Sequence, residues 1–135
     1  MGRTIAILVG RLIFGAVFLV ATSFKFMDMS GTATYIAAAG FPFPLLLAWL
    51  AAIFELALAA AFFTGVFFSP ASLLAGVYVI FLALAFHGPG RWSGNQAEFG
   101  FFIDHFTFLA GLLFAAVHGP GNALVVWLGA ARRFA

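Results

Sequence analysis

Four long apolar stretches, separated by short runs rich in glycine, proline and polar residues, set the pattern of this chain. They cover about residues 4–27, 45–67, 71–87 and 99–118. Roughly 20 apolar residues in a helix, rising 1.5 Å each, match a hydrocarbon layer about 30 Å thick, so each stretch is expected to be a transmembrane helix. The first has the outline of a secretory signal, but its apolar run is too long and carries Arg11 and Lys25. It therefore reads as the first span. In residues 28–44, Ser30, Gly31 and Thr32 are turn and cap residues, and residues 34–39 suit a short interfacial helix. Pro44 fits the first turn of the second span. Ser69-Pro70 is read as a tight turn between antiparallel neighbours. His87-Gly88-Pro89-Gly90 and His118-Gly119-Pro120-Gly121 are the same stop signal, used twice. Residues 122–131 are too few to span and read as an interfacial segment closed by Arg132 and Arg133. The expected fold is all-α: one polytopic membrane domain over residues 1–135, a four-transmembrane-helix antiparallel bundle with short interfacial segments.

The polar positions inside the spans carry the information about chemistry. Glu55 lies near the middle of the second span, where a charged acid costs about 2.5–3.5 kcal/mol to insert. It must be paired, protonated or wetted. Ala48, Ala52, Glu55, Ala59 and Phe62 share one helical face, and the small residues let a neighbouring backbone approach. In the first span Arg11, Gly15, Phe18, Thr22 and Lys25 share a face. In the fourth, Asp104 and His105 intrude, with Asp104 on the face of Phe108, Gly111, Ala115 and His118. Two cations against two acids predict ion pairs Arg11–Glu55 and Lys25–Asp104. Lys25, His87 and the polar run around Gln96 are expected to ring the outer end of the bundle.

Composition narrows the classes. Of 135 residues, 65% are hydrophobic and only 7% charged, against about 25% charged in soluble domains. No cysteine is present, which excludes disulfides, a CxxC redox pair and thiolate metal sites. A net charge of +2 is too small and scattered for nucleic-acid binding; the lipid bilayer is the expected partner. Four spans put both termini on one side. Arg3, Arg132 and Arg133 on that side, against Lys25 and Arg91 beside Asp28 and Glu98 on the other, place the termini in the cytoplasm.

Several of these residues together resemble the DoxX family of small four-helix membrane proteins. The matching features are Arg11, Gly15 and Lys25 in the first span, Gly40-Phe41-Pro42-Phe43-Pro44 before the second, Glu55 and Gly65 within it, Gln96 before the fourth, and Gly119-Pro120-Gly121 after it. The family commonly continues with a Ser-Leu-Asp-like segment; Asn122-Ala123-Leu124 stands here, without the acid. The resemblance implies a bacterial inner-membrane bundle. It also implies a link to thiosulfate:quinone oxidoreductase subunits and to membrane complexes that resist oxidative stress.

Two readings follow. In the first, a quinone or similar apolar molecule enters the bundle, Glu55, Asp104 and His105 act as catalytic proton carriers, Lys25, His87 and Gln96 bind the ligand, and some of the 20 phenylalanines form a flat slot. No metal site is expected, and His87, His105 and His118 make no axial pair for haem. In the second, the chain is a non-enzymatic accessory, anchor or chaperone for another membrane or redox subunit, and its ion pairs only lock the helices. A homo-oligomer is compatible with either. A transporter ranks third, because no span is broken in the way transporters require.

Overall fold

The computed structural model of the chain describes residues 2–126. It is all-helical among those residues: α1 (Gly2–Met27), α2 (Met29–Ala38), α3 (Pro44–Thr64), α4 (Phe68–His87), a single 3-10 turn (Pro89–Arg91) and α5 (Gln96–His118). Four of these helices, α1, α3, α4 and α5, are long and apolar enough to cross a membrane. The protein is a polytopic membrane protein.

The boundaries differ from the sequence expectation where local chemistry decides. Thr64 ends α3 because Gly65 takes a left-handed conformation, φ 74°, and returns its N–H to Ala61 O at 2.8 Å. The turn is thus Gly65–Phe67, not Ser69-Pro70. Pro70 lies within the first turn of α4, where backbone N–H groups have no intrahelical acceptor and proline removes nothing. Asn95 caps α5, its Oδ1 accepting from Glu98 N, so this helix begins at Gln96 rather than 99. The loop helix also starts earlier than expected. Asp28 Oδ1 accepts from Gly31 N at 2.8 Å and nucleates α2 at Met29.

Residues 122–126 form no interfacial helix. Leu124 is left-handed, φ 51°, and the chain folds back so that Val126 N donates to Thr64 O at 2.9 Å. The remainder of the expected C-terminal segment, with Arg132 and Arg133, lies outside the described residues.

α1 packs on α3, and α4 on α5. The antiparallel register of α1 and α3 is set by close approach. A side chain at Gly15 would meet the Phe63 ring at 2.9 Å, and Thr22 Oγ1 donates across to Ala52 O at 2.7 Å. Two cores result. One lies toward the N-terminal end of α1 and is aromatic: Phe14 and Phe18 of α1, Phe62 of α3, Phe68 of α4 and Phe108 of α5 are in mutual contact, with Leu58, Val79 and Leu112 around them. The other lies under α2, around Ile36, Ala48 and Phe86. Between them the bundle is hollow.

Candidate intramembrane binding cavity

The hollow is a cavity of about 820 Å³ lined from all five helices. Its walls are mainly aromatic and aliphatic, with Phe24, Phe54, Tyr35, Phe81 and Phe86 among them. Such a site, apolar with a few convergent polar groups, is the usual form of a small-molecule pocket.

Glu55 sits on its wall at 2% exposure. Its Oε1 accepts from Tyr78 Oη at 2.7 Å, and Lys25 Nζ lies 2.8 Å from Oε2. The ammonium approaches Oε2 off the hydrogen-bond direction, so that oxygen has an ionic partner without a hydrogen bond among the described residues. Helix geometry explains the pairing. Side chains lean toward the N-terminus of their own helix. On antiparallel helices Lys25 and Glu55 therefore lean toward each other.

The expected Arg11–Glu55 pair is not formed. The register sets Arg11 opposite Gly65, where Arg11 Nη1 lies 3.1 Å from the position a Cβ would occupy. Gly65 is ten residues beyond Glu55, about 15 Å of helix. Arg11, 1% exposed, instead donates from Nη1 to Pro120 O at 3.0 Å and from Nη2 to Ala123 O at 3.0 Å and Leu124 O at 2.8 Å. It fastens the chain after α5 to the aromatic end of the bundle. The left-handed Gly119 and Gly121 turn those carbonyls toward it.

The expected Lys25–Asp104 pair is absent as well, since Lys25 is engaged by Glu55. Asp104 is exposed on α5, lies outside the cavity lining and has no hydrogen-bond or ionic partner among the described residues. Gln96 is exposed in the first turn of α5 and does not line the cavity. Lys25, Glu55, His87 and His105 do line it.

The two imidazoles lie together, ring centroids 5.2 Å apart. His105 Nδ1 is 2.6 Å from Phe101 O; a carbonyl only accepts, so Nδ1 carries a proton, and in the neutral ring Nε2 is the lone-pair nitrogen. His87 Nδ1 is 2.7 Å from Glu98 Oε2; donation to that carboxyl oxygen leaves Nε2 as the lone-pair nitrogen of the neutral ring. Trp92 Nε1 donates to His87 O at 2.8 Å and holds the end of α4 in place. No group of three or more metal-ligating residues occurs among the described residues.

Tyr78 was not singled out from the sequence. A signal existed: a phenol in the middle of an apolar span must find a partner for its hydroxyl. Glu55, the only acid on the preceding span, is the natural acceptor.

The geometry defines a small polytopic helical bundle with a buried Lys–Glu–Tyr cluster facing an intramembrane cavity. The DoxX family model matches residues 6–88, which carry α1 to α4 and Lys25, Glu55, Tyr78 and His87; the chain belongs to the DoxX family. No curated protein and no solved structure matches it.

Proposed function

We propose that the cavity binds a quinone-type molecule and that the chain is the quinone-binding subunit of an inner-membrane oxidoreductase. The observation that carries this reading is the Lys25–Glu55–Tyr78 cluster on the wall of an aromatic cavity of about 820 Å³ between the spanning helices. A quinone needs an apolar slot for its ring and tail and hydrogen-bond donors at its two carbonyl oxygens. Lys25 and Tyr78 supply donors on one side. On the other side, Nε2 of His87 and of His105 each takes a proton from the aqueous face and passes it to the second carbonyl oxygen as the quinone is reduced. Conversion to quinol consumes two electrons and two protons. With no cysteine in the chain, the electrons are assigned to a redox group on a partner subunit. The chain's own part is to bind, orient and move protons. Glu55 and His105 are the proposed proton carriers, and Lys25 and His87 the ligand-binding groups. Asp104 and Gln96 have no part in this site.

The test is photolabelling of the purified protein with an azido-benzoquinone carrying a short isoprenoid tail. Saturable labelling of peptides from α3 and α4, displaced by the unlabelled quinone and weakened in Tyr78→Phe, is expected. Labelling that does not saturate, or that falls on lipid-facing residues alone, refutes the proposal and leaves the accessory-subunit reading.

The termini are assigned to the cytoplasm of a bacterial cell, which turns the α2 end outward. Arg3, exposed at the start of α1, supports this orientation. A reporter fused after Ala135 that is active only in the periplasm reverses it.

A further inference from the structure

The chain has four acidic residues, and three of them are accounted for. Glu55 pairs with Lys25, Glu98 with His87, and Asp28 caps α2. Asp104 alone has no partner among the described residues, and it is exposed. Its depth makes this costly. Phe62 and Phe108 both touch Phe14 and Phe18, so α3 and α5 run level with one another. Asp104 then lies within about one helical turn of the depth of mid-span Glu55. A carboxylate at that level on a lipid-facing surface is among the least favourable placements in a membrane protein.

The helix that carries it is also the least buried of the four. Leu112 is its one buried residue. Phe114 and Val117 are 70% and 87% exposed, and nothing lies within 4 Å of the position a side chain would take at Gly100, one turn before Asp104. Asp104, Thr107 and Gly100 present a small, polar strip flanked by large apolar side chains.

We infer that this face of α5 docks a transmembrane helix of another protein, one that carries an arginine or lysine at the depth of Asp104. A second copy of the chain fits poorly. A two-fold axis along the membrane normal would set Asp104 against Asp104. The only ammonium at that level, Lys25, is held by Glu55. Arg11 is satisfied by three carbonyls toward the opposite end, and Arg3 and Arg91 stand at helix ends. Among the described residues no cation is left to answer Asp104. This inference is independent of what the cavity holds.

The probes are synthetic transmembrane peptides, a Leu/Ala host helix and the same helix with one central arginine, in phosphatidylcholine vesicles with the purified full-length protein. Association is read by energy transfer between a donor on the protein and an acceptor on the peptide. The arginine helix is expected to bind wild type about tenfold more tightly than the host helix. Asp104→Asn should abolish that preference while melting at the wild-type temperature, and Asp104→Glu should restore it. Equal binding of the two peptides, or a preference retained in Asp104→Asn, overturns the inference. So does Asp104-dependent self-association of the wild type without peptide, which would make a second copy the occupant.

Discussion

Removing Lys25 tests the central pair most directly. In Lys25→Met the carboxylate of Glu55, 2% exposed, keeps Tyr78 but loses a charge at 2.8 Å. The gross attraction at that distance is about 6 kcal/mol for an effective dielectric of about 20. Desolvation of both groups offsets much of it, and stripping one partner from a buried pair costs about 3–5 kcal/mol. Lys25 keeps a fifth of its side chain exposed, 21%, so the low end applies: a loss of about 3 kcal/mol is expected. Glu55→Gln should cost less, about 2 kcal/mol. The amide oxygen still accepts from Tyr78, and the stranded ammonium can take water from the cavity. In the double variant neither charge is stranded, so the two losses should fall short of their sum by about 1–3 kcal/mol. Equilibrium unfolding in mixed micelles, followed by far-UV circular dichroism, gives all four corners of the cycle. Additivity to within about 0.5 kcal/mol would refute the pair. The same cycle on Arg11 and Glu55 should be additive, since about 15 Å of helix separates their levels.

Three further outcomes follow from the same contacts. Arg11→Lys keeps the charge but not the fork that reaches three carbonyls; a loss of about 2–4 kcal/mol, with faster proteolysis after His118, is expected in melting and limited-digestion assays. Gly65→Ala forces a side chain into a left-handed position beside Arg11 and Pro120 and should cost about 1–2 kcal/mol, whereas Gly90→Ala, with open space around it, should leave the melting temperature unchanged. Tyr78→Phe strips Glu55 Oε1 of its donor and should lower stability by about 1–3 kcal/mol, measured in the same unfolding assay.

Much of the fold was legible because a bilayer leaves few solutions: apolar length and stop signals mark the spans. Glu55 was legible as a buried acid for the same reason. Its partner was not. The stripe through Arg11, Thr22 and Lys25 is continuous, and nothing in its spacing says which cation stands level with Glu55. That depends on the register of α1 against α3, fixed by the contact of Gly15 with Phe63 and the bond from Thr22 to Ala52. Neither is visible until both helices are in place. Asp104 and His105 show the same limit at closer range. Adjacent residues on a helix point about 100° apart, and only the packing of α5 on α4 decides that His105 enters the cavity and Asp104 does not. Gln96 was drawn toward the site by its place in the chain, but the first turn of α5 leaves it facing away from the cavity lining.

The aromatic cluster beneath the cavity has a consequence for the cell that houses it. Each of the four spanning helices contributes a phenylalanine: Phe14 and Phe18, Phe62, Phe68 and Phe108, with centroids 5.2–5.7 Å apart. Hydrocarbon rings at such spacing leave no file of water for a proton to hop along. Whatever acid–base exchange occurs above them at Glu55 or His105 begins and ends on one face of the bilayer. A membrane that stores energy as a proton gradient can thus hold many copies of this hollow bundle without being short-circuited by any of them.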